Sequence, residues 1–282
     1  FEDYEAARAY IETRPAPMVV KADGLALGKG VLICETREQA LEAAQSMLLE
    51  SRFGKSGSRI VVEEFMTGPE VSVLAFCDGK TVVPMVSAQD HKRAFDGDRG
   101  LNTGGMGTFS PSRVYTPQLA EQCMETIFIP TVRAMQQEGR PFKGVLYFGL
   151  MLTPDGPKVL EYNARFGDPE TQVVLPRLKS DLLEIFLACI DGTLDQTEVL
   201  WYDNAAVCVV MASGGYPEKY QTGYPISGLN AFAGSEDVFV YHAGTKKAED
   251  GTLRTAGGRV LGVTAVAKNL DCAIEKAYAA VS

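Results

Sequence analysis

The chain has 282 residues, of which 46% are hydrophobic and 22% charged, and its formal net charge is -9. This composition is typical of a globular protein, and the acidic balance disfavours a general nucleic-acid surface. The six cysteines are scattered without C-x-x-C spacing, and no run of 18 apolar residues occurs. We therefore expect no nucleic-acid or membrane partner and a reducing, cytoplasmic location.

The first third of the chain predicts short helices and strands in alternation. Thr36 with Gln39 forms a capping-box pattern ahead of an amphipathic helix, and Asp78-Gly79 separates two alternating runs as a hairpin turn does. The predicted elements are helices at 4–12 and 37–49 and strands at 18–21, 31–34, 60–65, 70–76 and 81–86.

The polar, glycine-rich residues 89–110 predict a long segment without regular structure, which is usual for functional or disordered chain. A helix is expected to start at Thr116 and Pro117 and to kink at Pro130, and Ser180 is expected to cap a later helix. The remaining predicted elements are an antiparallel pair of strands at 145–152 and 158–162, a linker at 191–203, and a last module with strands at 206–211, 238–242 and 260–267 and a helix after Asn269.

A glycine-rich turn follows the first strand, with Lys21 at the strand end and Gly24, Gly28, Lys29 and Gly30 after it. Glycines let backbone N–H groups close on phosphate oxygens, and lysine supplies positive charge. The spacing is not that of a Walker A loop, and the turn leads into a strand rather than into the helix of a Rossmann turn. Two interpretations remain, a phosphate-binding loop and a plain structural turn.

A second segment joins an apolar strand to a cluster of acidic residues. Glu63 and Glu64 end the strand, Phe65 and Met66 follow, and Glu70 lies beyond a turn. A purine base needs apolar faces and backbone groups at its edge, and a carboxylate suits a ribose diol. Phe65 and Met66 fit the first need and Glu70 fits the second. The alternative is a strand end with a solvated acidic turn.

A third segment ends a strand with Glu161 and Asn163, which period-two alternation puts on one face. A carboxylate and an amide oxygen together form the hard-oxygen site that Mg²⁺ or Mn²⁺ uses with ATP phosphates. Arg165, two residues further on, is suited to stabilise phosphoryl charge. The alternative is a surface strand with ordinary polar residues.

In this order, the three segments resemble the ATP-grasp superfamily, and the surrounding sequence is similar to its phosphoribosylamine–glycine ligase family. The strings that carry the resemblance are residues 21–30, 89–93, 102–107, 161–170, 214–217, 242–246 and 257–260. The resemblance implies an α+β protein with the ATP-grasp fold, in which two α+β subdomains clamp ATP, followed by a small, mostly-β C-terminal domain. The implied boundaries are residues 1–68 for the smaller subdomain, 69–195 for the larger one and 196–282 for the C-terminal domain.

The same resemblance implies roles for residues that match the family's motifs. ATP would be bound by Lys21, Gly24, Gly28, Lys29, Gly30, Glu63, Glu64, Phe65, Met66 and Glu70. The divalent metal, Mg²⁺ or Mn²⁺, would be held by Glu161 and Asn163, with Gly149 standing where several relatives have a further acidic ligand. Arg165 and Asp168 would be catalytic. The substrates would contact Asp90, His91, Lys92, Asn102, Thr103, Gly104, Gly105, Lys246 and Arg259.

The implied reaction joins glycine to 5-phosphoribosylamine with ATP, through glycyl phosphate, and gives glycinamide ribonucleotide, ADP and phosphate. For His91 a binding role is favoured over that of a general base, because it lies beside Lys92 and Arg93. We expect a monomer or weak homo-oligomer, or one part of a multifunctional purine enzyme.

Two other functions stay open at this point. One is an ATP-grasp ligase that acts on another carboxylate, against which the residues 90–93 argue. The other is a non-catalytic nucleotide-binding module, because the N-terminal domain with which the family begins, and the upstream lysine that helps to hold ATP, are absent from this sequence.

Overall fold

The computed structural model describes residues 1–26 and 30–282, and these form two compact units, Phe1–Thr67 and Gly68–Ser282. Each unit contains its own cluster or clusters of buried apolar side chains. None of the helices in the described residues is long and apolar enough to cross a membrane. The six cysteines are free thiols, and none forms a disulfide.

The first unit is a three-stranded antiparallel sheet covered by two helices. The strands are β1 (Met18–Ala22), β2 (Val31–Cys34) and β3 (Ile60–Glu64), in the order β2-β1-β3. The helices are α1 (Tyr4–Glu12) and α2 (Arg37–Leu48), and their apolar faces meet the sheet in one core. The Thr36 hydroxyl caps α2 by accepting from the Gln39 N–H at 3.3 Å, while the Gln39 side chain accepts from Glu35. The five elements predicted here are confirmed to within one residue.

The second unit begins with a four-stranded antiparallel sheet of order β11-β10-β4-β5. Its strands are β4 (Glu70–Asp78), β5 (Val82–Pro84), β10 (Lys143–Thr153) and β11 (Gly156–Asn163). Alternate residues of β4 enter two different cores, since Leu74 and Phe76 join one cluster and Val73 and Ala75 join the other. Both predicted hairpins are confirmed.

A long helical segment covers one face of this sheet. It consists of α3 (Pro117–Cys123), a π-helical turn at Met124–Phe128 and α4 (Ile129–Gln137). Pro130, where a kink was predicted, has no N–H to donate, and the ladder widens beside it as the Ile129 N–H bonds to the Met124 carbonyl. The Thr131 hydroxyl donates to the Ile127 carbonyl at 2.7 Å.

The second sheet of this unit is five-stranded and antiparallel, with the order β13-β16-β12-β9-β6. Its helix, α7 (Leu270–Val281), follows Asn269 as predicted, is capped by the Asn269 side chain, and buries Ala273 and Ala277. The strands and the ribbon beside them are β6 (Gln89–Asp90), β9 (Gly107–Ser110), β12 (Ala205–Ala212), β13 (Val238–His242), β14 (Thr245–Lys247), β15 (Leu253–Thr255) and β16 (Arg259–Ala267).

The expectation that residues 89–110 lack regular structure is wrong. They contain β6, a small hairpin of β7 (Arg93–Phe95) and β8 (Arg99–Asn102), and β9. These strands have only two to four residues, which is too short for an alternating pattern. The main partner of β9 is β12, about a hundred residues later in the chain, as in the pair Thr108 and Cys208.

The helix expected to start at Ser180 is α6 (Leu182–Asp191), and its cap is Asp181 rather than Ser180. The Asp181 carboxylate accepts from the N–H of Leu183 at 2.7 Å. The Ser180 hydroxyl accepts from the Leu200 N–H at 2.8 Å instead, so it holds the chain that follows the helix.

The expected linker at 191–203 contains a buried residue. Leu194 is 1% exposed and belongs to the same core as Leu74, and its N–H donates to the Asp78 carboxylate at 3.2 Å. One further short helix, α5 (Thr171–Val174), lies under the second sheet. The domain boundaries expected from the sequence stay predictions.

Candidate active site

The end of β11 carries the two residues expected to bind a metal. Glu161 and Asn163 lie on one face of the strand, and the Asn163 amide donates to the Glu161 carboxylate at 3.2 Å. Which atom of the Asn163 amide faces Glu161 is set by this hydrogen bond, and the amide can turn to present its oxygen to a cation. Period-two alternation therefore predicted a real pair.

The neighbouring strand explains why this pair has no third side-chain partner at the adjacent position. Gly149 of β10 is the register partner of Glu161, and a Cβ atom there would lie 3.0 Å from the Glu161 Cγ. No group of three or more His, Cys, Asp or Glu side chains suited to a metal occurs in residues 1–26 and 30–282. A carboxylate and an amide oxygen fit Mg²⁺ or Mn²⁺ only when ATP phosphates and water complete the coordination.

The segment after β11 carries the two residues expected to be catalytic. The Arg165 guanidinium is exposed, and its Nη1 donates to the Phe166 carbonyl at 2.9 Å. The Asp168 carboxylate is held from both sides, by Gln172 Nε2 at 2.8 Å and by Arg259 Nη2 at 2.9 Å. Arg165 is thus available to an anion, whereas the orientation of Asp168 is fixed by protein partners.

A buried carboxylate, Glu170, lies next to this segment and was not among the residues singled out from the sequence. Glu170 is 3% exposed, and its Oε1 accepts from the Ser72 and Tyr147 hydroxyls, both at 3.0 Å. The two hydroxyls are 2.7 Å apart. Burial, and next the charge of Glu170, raise the pKa of Tyr147 well above its usual range. The hydroxyl therefore stays protonated and donates.

Two residues expected to bind different ligands form an ion pair. The Lys92 Nζ lies 2.7 Å from the carboxylate of Glu70, and both side chains are nearly half exposed. Burial opposes the charge of Lys92, but Glu70, Asp90 and Glu161 outweigh it and raise the lysine pKa above its ordinary value. Because the charge of Glu161 contributes to the raised pKa of Lys92, the expected metal ligands and Lys92 share one electrostatic environment.

Asp90 has the most perturbed carboxyl group near this lysine. Burial, opposed by Lys92 and reinforced by the charges of Glu170 and Glu70, raises the pKa of Asp90 to about 6. Its Oδ2 lies 3.6 Å from where a side chain on Gly105 would begin. Glycine at 105, with φ at +108°, gives the loop its conformation and its close approach to Pro169, whose Cδ would lie 2.5 Å from a Cβ atom there.

The loop expected to contact substrates is held by its own polar groups. The Thr103 hydroxyl donates to the Lys92 carbonyl at 2.8 Å and accepts from the Gly105 N–H at 3.0 Å. Asn102 is exposed. The His91 ring is exposed, and its centroid lies 5.8 Å from that of the Phe109 ring.

Two cations were expected to contact a sugar phosphate. Arg259 contacts the carbonyl of Gly104 at 2.6 Å and the Asp168 carboxylate, so it belongs to the site. Lys246 is exposed in the β14 and β15 ribbon, and in the described part of the chain no hydrogen bond or ion pair joins it to another candidate residue. The nearby His242 is exposed, and its Nδ1 lies 3.0 Å from the Thr245 hydroxyl.

The first unit carries most of the residues expected to bind ATP. The Lys21 Nζ lies 2.6 Å from the Glu63 carboxylate, which comes from the adjacent strand. Gly24 is in close contact with Ser56, whose Cα would be 2.5 Å from a Cβ at this position, and Gly30 is packed against Ala26. Glu64 is exposed, and Phe65 and Met66 are partly exposed. Gly28 and Lys29 lie outside the described residues.

Comparison with known proteins identifies the family. The model for the phosphoribosylglycinamide synthetase ATP-grasp (A) domain matches residues 1–171. The chain belongs to the phosphoribosylglycinamide synthetase family. The model for the C domain of the same family matches residues 206–282. The α+β ATP-grasp fold expected from the sequence is thereby confirmed.

Relatives of the phosphoribosylglycinamide synthetase family cover nearly all of this chain. A phosphoribosylamine–glycine ligase of Halalkalibacterium halodurans is 52% identical over 270 residues, which are 96% of this chain and 62% of that protein. The bifunctional purine biosynthetic protein PUR2,5 of Pichia angusta is 49% identical over 283 residues, or 100% of this chain and 36% of that protein.

A solved structure agrees with this membership. The crystal structure of phosphoribosylamine–glycine ligase from Thermotoga maritima matches with a TM-score of 0.87 and 35% identity, covering 99% of this chain and 68% of that one. The chain thus spans about two thirds of the length of the phosphoribosylamine–glycine ligases that it matches.

Proposed function

We propose that the protein to which this chain belongs joins glycine to 5-phosphoribosylamine with cleavage of ATP to ADP and phosphate, a step of purine biosynthesis. The observation that carries the proposal is the polar end of β11, where Glu161 and Asn163 lie side by side and Arg165 follows with its guanidinium exposed. These groups suit phosphoryl transfer to a carboxylate. The identity of the chain to named ligases supports the choice of substrates.

The nucleotide and metal assignments follow the same groups. Glu161 and Asn163 would hold Mg²⁺ or Mn²⁺, and a bound cation would neutralise charge on the ATP phosphates. Lys21, Glu63, Glu64, Phe65, Met66 and Glu70, with the glycines at 24, 28 and 30 and Lys29, are proposed to bind ATP. The ion pair of Glu70 with Lys92 supports a role in which Glu70 exchanges the lysine for a ribose hydroxyl.

In the first chemical step, an oxygen of the glycine carboxylate attacks the γ-phosphorus and the bond to the ADP oxygen breaks. Arg165 stabilises the negative charge that spreads over the transferred group, since its guanidinium is exposed and follows Asn163 by two residues. No nucleophilic side chain is needed. Catalysis here depends on positioning and on electrostatic stabilisation.

In the second step, the amine nitrogen of 5-phosphoribosylamine attacks the carbonyl carbon of glycyl phosphate, phosphate leaves, and the nitrogen loses one proton. Asp90, Lys92, Thr103 and Gly105 are proposed to contact the substrates, together with His91, Asn102 and Gly104. Lys92 stays charged, and it supplies positive charge near the leaving phosphate. The fusion in the Pichia angusta protein supports the expectation of a multifunctional enzyme, and the oligomeric state stays a prediction.

A calorimetric titration of ATP with Mg²⁺ tests the nucleotide and metal assignment. We expect this chain to bind ATP, and the Glu161→Ala, Asn163→Ala double variant to lose at least tenfold in affinity. Substitution of residues that merely orient metal ligands already costs about 10- to 100-fold in metal affinity. A Gln137→Ala, Glu138→Ala variant removes a similar pair from the exposed end of α4 and is the matched control. Equal ATP affinity in all three proteins would contradict the assignment.

A further inference from the structure

We propose that Arg259 and Tyr216 form a clamp that positions Asp168 and the substrate loop, residues 92–107. Arg259 then acts by holding these parts of the protein and does not bind the substrate phosphate directly. The proposal deepens the proposed function and rests on it. Both residues come from glycine-rich strings of the second unit, Gly214–Pro217 and Gly257–Val260, whose motifs the ligation chemistry leaves unexplained.

The clamp holds both polar groups of one residue. The Gly104 N–H donates to the Tyr216 hydroxyl at 3.1 Å, and the Gly104 carbonyl accepts from Arg259 Nη1 at 2.6 Å. A Cβ atom at 104 would lie 2.9 Å from the Arg259 Cζ, so a larger residue there would displace the guanidinium. Gly104 is thus fixed between a phenol and a guanidinium.

The same guanidinium also holds Asp168, which is expected to be catalytic. Arg259 Nη1 donates to the Asp168 carbonyl at 3.1 Å, and Nη2 donates to the Asp168 Oδ2 at 2.9 Å. Gln172 Nε2 takes the other carboxylate oxygen at 2.8 Å. The Arg259 side chain is only 22% exposed. These contacts use three of the five guanidinium N–H groups and fix the orientation of the fork toward Gly104 and Asp168.

Tyr216 and Arg259 are built as one unit. Gly258 lies between them in space, and a Cβ atom there would be 2.2 Å from the Tyr216 ring, so only glycine lets the ring pack beside the start of β16. Tyr220 contacts the same ring at a centroid distance of 6.0 Å. The glycines at 258 and 104 therefore allow an aromatic ring and a guanidinium to close on the loop.

The position of Gly104 passes to the neighbouring loop residues. The Thr103 hydroxyl donates to the Lys92 carbonyl and accepts from the N–H of Gly105, which packs closely against Pro169. Loss of the clamp would release Gly104 and Asp168 together. Because a displacement of about 1 Å can reduce a rate about 100-fold, we expect a kinetic defect without loss of the nucleotide site.

The test uses Arg259→Gln, Arg259→Lys, Tyr216→Phe and, as a matched control, Tyr220→Phe. In the chain extended to the length of its relatives, we expect Arg259→Gln and Arg259→Lys to lower kcat/KM for 5-phosphoribosylamine by about 10- to 100-fold. Tyr216→Phe should lower it by about 3- to 10-fold, in keeping with one lost neutral hydrogen bond. The Kd for ATP should change less than threefold, and Tyr220→Phe should match the parent.

Hydrogen exchange provides a readout that needs no activity. Amide exchange over residues 92–107 of this chain should become faster in the two Arg259 variants and in Tyr216→Phe, and not in Tyr220→Phe. Near-normal activity in Arg259→Lys with an unchanged Tyr216→Phe would overturn the clamp and favour a direct grip by point charge. Faster exchange in variants of a parent that does not ligate glycine would instead overturn the proposed function and leave the clamp standing.

Discussion

Single residues of the candidate site show carboxylates gathered around one lysine. Glu70 forms an ion pair with Lys92, and Asp90 and Glu161 add their charges to it. An ion pair as exposed as this contributes little to stability, about 0–1 kcal/mol. Its use is to keep a positive charge in place in an acidic protein, where phosphorylated ligands need local cations.

Asp90 should make stability depend on pH. Its pKa is raised from 3.8 to about 6 by burial in the folded protein, where Lys92, Glu70 and Glu170 face it. The folded protein holds this proton more tightly than the unfolded chain does. The stability that it contributes is therefore fully present below the unfolded value and is lost as the pH rises through about 6.

We expect Asp90→Asn to remove this dependence. Between pH 5 and pH 8 the free energy of unfolding of the parent should fall by about 1 kcal/mol more than that of the variant, since one pKa unit corresponds to about 1.4 kcal/mol. Urea unfolding at both pH values measures the difference. Asp155→Asn, at an exposed turn, is the control and should follow the parent. If Asp90→Asn also follows the parent at both pH values, Asp90 does not titrate as described.

Tyr147 should stabilise the fold through Glu170. Tyr147→Phe removes one of two hydroxyl donors from a buried carboxylate, and we expect the free energy of unfolding to fall by about 2 kcal/mol, the usual range for a hydrogen bond to a charged group. Tyr162→Phe, which loses an exposed hydroxyl contact with Thr131, should cost less than about 0.5 kcal/mol. Equal effects of the two substitutions would contradict the account.

Residues of the site differ in how far the sequence reveals them. Glu161 and Asn163 are two positions apart on one strand, so alternation predicts their pairing. Glu170 meets Ser72 across 98 positions of sequence and Tyr147 across 23, and no local pattern reports such contacts. A buried carboxylate that follows Gly-Asp-Pro was visible only as an unexplained acidic residue in a string that already looked unusual.

At the scale of helices and strands, capping depends on which oxygen reaches the first turn. Ser180 and Asp181 are both good cap residues, and the sequence does not choose between them. The structure places the Asp181 carboxylate at the N–H groups of Leu183 and Glu184, and it turns the Ser180 hydroxyl toward residues 198–200. The choice was set by the chain that follows α6.

Asp181→Ala should destabilise the chain through the loss of this cap. We expect the free energy of unfolding to fall by about 1 kcal/mol, and Asp181→Asn to keep most of the stability because asparagine is an equally good cap. Thermal or urea unfolding of the two variants measures this. A loss as large in Asp181→Asn as in Asp181→Ala would mean that the cap hydrogen bonds are not the reason.

The strands between residues 89 and 110 show the limit of pattern reading at this scale. Apolar runs predict long strands such as β4 and β10, and turn residues predict their hairpins. The strand β9 is held by a distant partner instead, since it pairs with β12, and β6 in turn pairs with β9. Several residues of these strands are polar or glycine, as the site requires. Apolar and polar side chains therefore do not alternate along them, and the strands cannot be recognised from the sequence.

The whole molecule combines a family membership with a site whose roles are proposals. Within the residues that the structure describes, the first compact unit has one buried core and the second has three, and the sequence predicted nearly all of their long elements. What the sequence could not provide is which polar groups hold one another. The ion pairs of Lys21 with Glu63, of Lys92 with Glu70 and of Arg259 with Asp168 each join two candidate site residues for which the sequence predicted no contact with one another.

The most direct test of the central claim is release of ADP and phosphate from ATP with Mg²⁺, measured with both substrates, with each alone and with neither. The chain extended to the length of its relatives is compared with its Glu161→Ala, Asn163→Ala variant. We expect release that requires both glycine and 5-phosphoribosylamine, and that falls at least 100-fold in the variant, since loss of metal ligands removes charge stabilisation worth several kcal/mol. Release that needs neither substrate, or that proceeds equally in the variant, would contradict the claim.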